Sequence, residues 1–258
     1  MPTPLRLLTL NILNLADRWP ERLPLLLAEF AALQPDIAGL QEVVYVMQQD
    51  RLLGASGEGE YAIRRGWAYR PDEAGNSLLI RRPLADALAP PAHDARLDLG
   101  LSRSAVRAEL ALPDGMRLRL VNTHLHHMIG PEHEQVRAGQ AEAVLGWLAN
   151  LPAVDATIVT GDFNGDPLEP AYARMLGAGF RSAYREANGA EPEATWPSGL
   201  QAPAMDTDGE PGCLDYIWVS GAVAVRSARL AFDRPAADDP TLYPSDHCGV
   251  LAELELGG

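Results

Sequence analysis

The chain contains no lysine, so all 21 of its basic residues are arginine. Aspartate and glutamate together number 35, which gives a formal net charge of −14. Affinity for duplex DNA or RNA depends largely on basic side chains that displace counterions from phosphates. The composition therefore argues against a general nucleic-acid-binding protein. A local basic cleft stays open, and three groups could supply it: Arg64-Arg65, Arg81-Arg82 and Arg117 with Arg119.

Cysteine and long apolar runs are also scarce. Cys213 and Cys248 are the only cysteines, so we expect no disulfide framework and a reducing compartment. No stretch approaches the length of a membrane span, and the first residues lack the pattern of a secretory signal. No internal repeat divides the 258 residues. We expect one domain over residues 1–258, a monomer in the cytoplasm with no membrane span.

Strand-like and helical segments alternate along the chain. The patterns predict helices at residues 20–33, at 131–150 and after Pro170. A Pro-Asp-Gly turn at 113–115 predicts a hairpin at a sheet edge, and residues 188–212 are predicted to form a long loop over the surface or the rim of a site. The result is an α/β layered fold. Strands are predicted at residues 5–10, 36–42, 76–81, 105–112, 117–124, 156–160, 214–220, 222–232 and 249–256.

Two short acidic motifs carry the strongest chemical signal, Gly-Asp-Phe-Asn at 161–164 and Ser-Asp-His at 245–247. Each places a carboxylate and a second polar side chain next to an apolar run. Because alternate side chains of an extended segment share a face, Asp162 and Asn164 should project together. A simple Asx turn is the alternative explanation of this pair. The two motifs together indicate metal-assisted hydrolysis.

A row of polar residues ends the predicted strand 117–124. Alternation puts Asn122, His124 and His126 on one face, which is unusual for a core. His126, His127 and His133 could form a further metal site, although a flexible polar segment explains them as well.

His247 is the natural general base near neutral pH, and Asp215 is a candidate to hold its tautomer. Taken alone, Asp215 is more often a strand-end cap and His247 a surface residue. Cys248 could suggest a thiol nucleophile, but adjacent extended side chains diverge, which disfavours it.

The ordered set of motifs resembles the endonuclease/exonuclease/phosphatase superfamily, the deoxyribonuclease-I-like fold, over essentially the whole chain. The resemblance implies a four-layer α-β-β-α sandwich of two packed mixed sheets flanked by helices, with the active site at one end of the sheets. The residues that carry it are Asn11, Gln41-Glu42, Gly75-Asn76-Ser77, Asn122-Thr123-His124, Gly161-Asp162-Phe163-Asn164, Leu214-Asp215-Tyr216 and Ser245-Asp246-His247.

The same resemblance implies a metal centre. Glu42 looks like the principal ligand, with Asn11 and Asp246 close to the ion. Such oxygen ligands suit Mg²⁺ or Mn²⁺ better than zinc, which prefers clusters of histidine and cysteine.

The remaining roles also come from the resemblance. His247 would activate water and Asp215 would orient it, while Asp162 and Asn164 would position the water and a phosphoryl oxygen. The phosphate would interact with His124 and with Asn76. Substrate contacts are expected from Asn122 and from Trp196, which could stack on the substrate or be a plain hydrophobic anchor.

These expectations favour hydrolysis of a small or lipid-derived phosphodiester or phosphomonoester by histidine-activated water. The alternative is a nuclease on single-stranded or damaged nucleic acid, which requires Arg64, Arg65, Arg81 and Arg82 to cluster beside the site. Relatives often have an arginine just before the Asp-Tyr strand, where this chain has Cys213-Leu214, which weakens a DNA-repair role. A non-catalytic binding module is the third hypothesis, disfavoured because the predicted carboxylates and base are all present.

Overall fold

A computed structural model describes residues 3–56, 60–68, 73–90, 92, 95–202 and 209–257. Within these ranges the chain forms strands and helices in an alternating order. The elements are β1 (Thr3–Asn11), α1 (Trp19–Leu33), β2 (Ile37–Val44), α2 (Gln49–Gly54), β3 (Tyr61–Arg65), β4 (Ala74–Arg81), β5 (Arg96–Gly100), β6 (Arg103–Ala111), β7 (Arg117–His124), α3 (Pro131–Ala149), β8 (Ala156–Asp162), α4 (Pro170–Gly177), β9 (Arg181–Ser182), α5 (Ala183–Asn188), β10 (Asp215–Gly221), β11 (Val223–Ala231) and β12 (Gly249–Leu256).

The strands form two six-stranded mixed sheets. The first has the order β11-β12-β1-β2-β4-β3, and the second has the order β5-β6-β7-β8-β10-β9. In each sheet one central pair is parallel, β1 with β2 and β7 with β8. The other described neighbours are antiparallel.

Hydrophobic side chains on both faces of the central strands explain the layering. In β1, Leu5 and Leu7 pack into the core between the two sheets, whereas Leu8 and Leu10 pack on the opposite face with α1. The second sheet likewise has an outer core, in which Val144 of α3 and Met175 of α4 pack. A strand that is buried on both faces has a nearly continuous apolar sequence, and β1 has such a sequence. The predicted four-layer α-β-β-α sandwich is confirmed.

The predicted helices and strands all exist, with ends shifted by a few residues. Sequence patterns missed β3, β5, β9, α2 and α5, which are too short to establish an apolar period. The predicted hairpin is β6 with β7, but it does not form the sheet edge because β5 pairs with the outer side of β6. No described helix is long and apolar enough to cross a membrane.

The strand registers bring the polar motifs to one end of the sandwich. In the first sheet Asn11 at the end of β1 is level with Gln41 near the end of β2. In the second sheet Asp162 at the end of β8 is level with His124 on one side and with Asp215 on the other. Two parallel neighbouring strands end at the same edge of the sheet, and an antiparallel neighbour begins at that edge. The topology therefore gathers side chains as far apart in the sequence as Asn11 and Asp215.

Candidate active site

Asp162 lies at the centre of the gathered side chains and is buried. Its Oδ2 accepts a hydrogen bond from the Asn11 amide at 3.0 Å and lies 3.6 Å from His124 Nε2 and 3.7 Å from His247 Nε2. Burial, followed by the negative charge of Asp215, raises the pKa of Asp162 to about 7. One carboxylate oxygen thus faces the outward nitrogens of two histidines.

His247 is held by a chain of hydrogen bonds from the opposite side. Its Nδ1 lies 2.8 Å from Asp215 Oδ2, and the same oxygen accepts from Thr195 Oγ1 at 2.7 Å. Thr195 Oγ1 in turn accepts the backbone N–H groups of Leu214 at 2.9 Å and Asp215 at 3.1 Å. Because Asp215 occupies Nδ1, the Nε2 of His247 is the nitrogen that faces the cleft. Sequence reasoning did not single out Thr195 for this role.

Burial by itself would lower the pKa of His247, but the carboxylates of Asp215, Asp162 and Asp246 outweigh it and raise that pKa well above its ordinary value. The opposite holds for His124. Burial, followed by the positive charge of Arg103, holds the pKa of His124 well below its ordinary value. Two neighbouring histidines are therefore biased in opposite directions, one toward the protonated form and one toward the neutral form.

Glu42 is presented to the cleft by a distorted strand. The β2–β4 register shifts between Leu40 and Val43, and Glu42 has a φ of 58°, in the left-handed region that non-glycine residues rarely adopt. Its Oε1 accepts from the Asn11 amide at 3.3 Å and its Oε2 from the Asn14 amide at 2.6 Å. Asn14 was missed by the sequence reasoning, although its position three residues after Asn11 was a usable signal.

Asp246 reaches the same cleft through its neighbours. Ser245 Oγ lies 2.6 Å from the Asn11 carbonyl oxygen and 3.3 Å from Asp246 Oδ1. The other carboxylate oxygen, Oδ2, accepts from the indole N–H of Trp196 at 3.3 Å. Trp196 is half-buried, and its ring is therefore tied to Asp246.

A buried arginine that the sequence reasoning missed fixes both loops that carry these residues. Arg22 of α1 donates five hydrogen bonds of 2.7–3.0 Å to backbone carbonyls, four of them in the loop after β1 and one at Pro244. A guanidinium has five N–H donors, so its capacity is fully used. Arg22 thereby joins the segment of Asn11 and Asn14 to the segment of Asp246.

The Gly-Asp-Phe-Asn motif forms an Asx turn, which was the alternative explanation of this motif. Asp162 Oδ1 accepts the backbone N–H of Asn164 at 2.8 Å, and the Asn164 amide donates to the Leu125 carbonyl at 3.0 Å. Phe163 packs away in the outer core, as alternation predicts. Gly161 is needed because a Cβ there would lie 2.2 Å from the carbonyl oxygen of Thr123.

A cavity of about 200 Å³ opens beside Glu42 and His124, and its walls also include Asn14, Asn76 and Arg103. The Asn76 amide donates to the Ser104 carbonyl at 2.7 Å, which fixes its side chain at the wall.

Asn122 lies elsewhere, between the two sheets. It is fully buried, its amide donates to the Leu40 and Ser77 carbonyls at 2.8 and 3.0 Å, and its oxygen accepts from Gln41 at 2.6 Å. The structure therefore does not bring Asn122 to the cavity.

A nuclease was expected to have Arg64, Arg65, Arg81 and Arg82 clustered beside the site. These four arginines are instead divided between the two ends of the sandwich. Arg65 is level with Ser77 at the end of β4 that carries Asn76, and Arg64 precedes it. Arg81 pairs with Asp36 at the other end, where Arg82 pairs with Glu60 and Asp86. Two of the four thus lie toward the site.

The residues present suit a divalent cation. Four carboxylates converge, those of Glu42, Asp162, Asp215 and Asp246, and among the described residues no arginine forms an ion pair with them. Ligand atoms of Asp162, Asp215 and His247 lie within 4.8 Å of one another, which is close enough for one ion. However, Asp215 and His247 are already hydrogen-bonded to each other. Glu42 and Asp246 offer the carboxylate oxygens that Mg²⁺ or Mn²⁺ prefers, and Asn11 lies beside them with its amide N–H groups directed at Glu42 and Asp162.

Comparisons with known proteins agree with this geometry. The sequence model of the Endonuclease/Exonuclease/phosphatase family matches residues 8–247. Nocturnin of Homo sapiens is 27% identical over 263 residues, which covers 93% of this chain and 59% of Nocturnin. The chain thus spans less than two thirds of the length of this relative.

Solved structures show the same architecture. The human Nocturnin catalytic domain with bound sulfate anion is 26% identical, covers 98% of this chain and 94% of that chain, and superposes with a TM-score of 0.76. An endonuclease/exonuclease/phosphatase from Bacteroides vulgatus, 23% identical, covers 98% of this chain and 99% of that chain, also with a TM-score of 0.76.

Proposed function

Because the chain belongs to the Endonuclease/Exonuclease/phosphatase family, whose members hydrolyse phosphoester bonds, we propose that it is a Mg²⁺- or Mn²⁺-dependent hydrolase of a small or lipid-derived phosphoester. The observation that carries the proposal is the histidine held between two carboxylates. His247 Nδ1 lies 2.8 Å from Asp215, and its Nε2 faces Asp162 at 3.7 Å, beside Glu42 and Asn11.

In the proposed mechanism His247 Nε2 takes a proton from the attacking water as the water oxygen bonds to phosphorus and the ester P–O bond breaks. The leaving oxygen then takes up a proton from solvent, and His247 returns its own to solvent. Asp215 accepts the Nδ1–H, which fixes the tautomer and stabilises the imidazolium that forms. Asp162 and Asn164 orient the water, and no covalent intermediate with the protein is required. Thr195 acts as a positioning residue, because its hydroxyl donates to the Asp215 carboxylate oxygen that accepts the hydrogen bond from His247 Nδ1–H.

Glu42, Asn11 and Asp246 would hold the cation. A divalent ion there would polarise the phosphate, neutralise charge that develops on its oxygens and oppose protonation of His247. His124, kept neutral by its surroundings, donates a hydrogen bond from Nε2 to a phosphate oxygen, and Asn76 does the same at the cavity wall. The human Nocturnin catalytic domain binds a sulfate anion. This supports the proposal that the fold can bind a tetrahedral dianion.

A small substrate fits the overall charge of −14, which repels a long polyanion. The test is a panel of small and lipid phosphoesters beside an abasic-site DNA duplex, each assayed with Mg²⁺ and with Mn²⁺. We expect turnover of a small or lipid phosphoester and inert DNA. Cleavage of the DNA alone would contradict the proposed substrate class.

A nuclease on single-stranded or damaged nucleic acid is the second candidate, because Arg64 and Arg65 lie toward the site. It predicts a steep loss of cleavage between low and moderate salt, since counterion release dominates such binding. The third candidate, a binding module without catalysis, predicts that Mg²⁺ does not bind or that Glu42→Ala binds it unchanged in calorimetry.

We further propose a single domain over residues 1–258 that acts as a monomer in the cytoplasm. Two free, buried cysteines support the reducing compartment.

A further inference from the structure

Five arginines line a groove on the flank of the sandwich where the edge strands β3 and β5 approach each other. The groove encloses about 530 Å³, and its described lining contains no carboxylate. We call it the arginine groove; its basic residues are Arg51, Arg64, Arg65, Arg96 and Arg107.

The arginine groove carries excess positive charge. Asp50 binds Arg65 through two hydrogen bonds of 2.7 Å, and Glu109 accepts from Arg107 at 2.7 Å. Among the described residues, five arginines thus face two carboxylates. Among the described residues the exposed Arg51 guanidinium has no hydrogen bond. Within the same part of the chain, Arg96 forms a hydrogen bond only through Nε, which donates to the Arg65 carbonyl at 2.8 Å.

The groove adjoins the active-site cavity. Along β6, Val106 lines the groove and Ser104 lines the cavity, so about 7 Å of strand separates them. Trp67, two residues after Arg65, lines the cavity wall and is 36% exposed. A ligand that extends from the cavity past Trp67 would reach the guanidinium groups.

Guanidinium groups bind phosphate in a planar, two-pronged geometry, and several of them can share one polyphosphate. We infer that the arginine groove binds a second phosphate or pyrophosphate group of the substrate, one that is not cleaved. The inference rests on the proposed phosphoester hydrolysis and narrows it to small substrates with two separated phosphate groups.

A small ligand fits better than a nucleic-acid strand. The enclosed volume lies in the range typical of small-molecule sites. The arginines also do not continue along the flank, because Arg81 and Arg82 at the far end of β3 and β4 are paired with carboxylates.

The test is calorimetric titration with inorganic pyrophosphate in EDTA at moderate salt. Arg51 and Arg96 are exposed and form no ion pair among the described residues, so Arg51→Gln/Arg96→Gln should fold normally. The matched control is Arg174→Gln/Arg234→Gln, which removes the same charge at two exposed sites outside the groove. We expect the groove variant to bind pyrophosphate at least about tenfold more weakly, the control to match wild type, and His247→Ala to bind as wild type.

Equal weakening in the control, or no pyrophosphate binding by wild type, overturns the inference. A thymidine octanucleotide that binds far more tightly than pyrophosphate, and loses that affinity in the groove variant, also overturns it in favour of a nucleic-acid groove. Failure of the proposed function gives a different result: pyrophosphate still binds through Arg51 and Arg96, but no phosphoester is hydrolysed.

Discussion

Replacing Asp215 by asparagine should separate the orientation of His247 from its charge. The shapes are nearly equal, but the variant loses the carboxylate that accepts from both His247 and Thr195. A hydrogen bond to a charged group contributes about 1.5–3 kcal/mol, which corresponds to roughly a 10- to 100-fold change in rate. We therefore expect kcat of Asp215→Asn to fall by about that factor on the alkaline plateau, with KM little changed.

The pH profile gives the sharper result. His247 must be neutral to accept a proton, and its pKa is raised by Asp215, Asp162 and Asp246. Removing Asp215 lowers that pKa, so the acidic limb of the kcat profile should move to lower pH. The assay is steady-state hydrolysis at saturating Mg²⁺ across the pH range. The control is Asp238→Asn, which changes an exposed aspartate away from the site.

The raised pKa of His247 should also make the unfolding free energy depend on pH. A histidine whose pKa is raised by folding stabilises the protein fully below its unfolded pKa, and this contribution is lost as pH rises through the folded pKa. Asp215→Asn should therefore lower the unfolding free energy more at about pH 5 than at high pH. An acidic limb and a pH-dependent stability that both match wild type would refute the assigned contact between Asp215 and His247.

Three further predictions concern positioning, packing and the cation. Thr195→Val should lower kcat about fivefold with KM unchanged, since one hydrogen bond contributes about 1 kcal/mol, whereas Thr195→Ser should restore it; equal rates in both variants would contradict the positioning role. Gly161→Ala should lower the unfolding free energy by about 1–3 kcal/mol through overpacking, whereas Gly139→Ala, in an open helical position, should raise it by about 0.5–1 kcal/mol; denaturant melts compare them. Burial raises the pKa of Asp162 to about 7. Ionisation of Asp162 therefore lowers the unfolding free energy of the metal-free protein as pH rises from about 4 to 7. Saturating Mg²⁺ should raise Tm more at about pH 8 than at about pH 5. Glu42→Gln should abolish most of that difference in thermal melts, and an unchanged difference would argue against Glu42 as a ligand.

The sequence was informative about the fold because the central strands obey simple rules. The nearly continuous apolar run of β1 reflects burial on both faces, and the Pro-Asp-Gly turn marked the β6–β7 hairpin. Short edge strands such as β3 and β5 were missed, since each is only 5 residues long and offers too few positions to establish a period.

The site residues at the ends of strands could be predicted from the sequence. The residues that hold them in place through tertiary contacts could not. Alternation indicated correctly that Asp162 and Phe163 face opposite ways, but it could not tell that Asn122 is used up by hydrogen bonds between the sheets. Contacts that depend on tertiary packing, such as those of Thr195 and Arg22, leave no local pattern in the sequence.

The most direct test of the central claim is the steady-state rate of Mg²⁺-dependent phosphoester hydrolysis by wild type and by His247→Ala, on the best substrate of the panel. Loss of the general base should lower kcat by roughly 10²- to 10⁴-fold, while circular dichroism shows an unchanged fold. Wild-type turnover by His247→Ala would contradict the account.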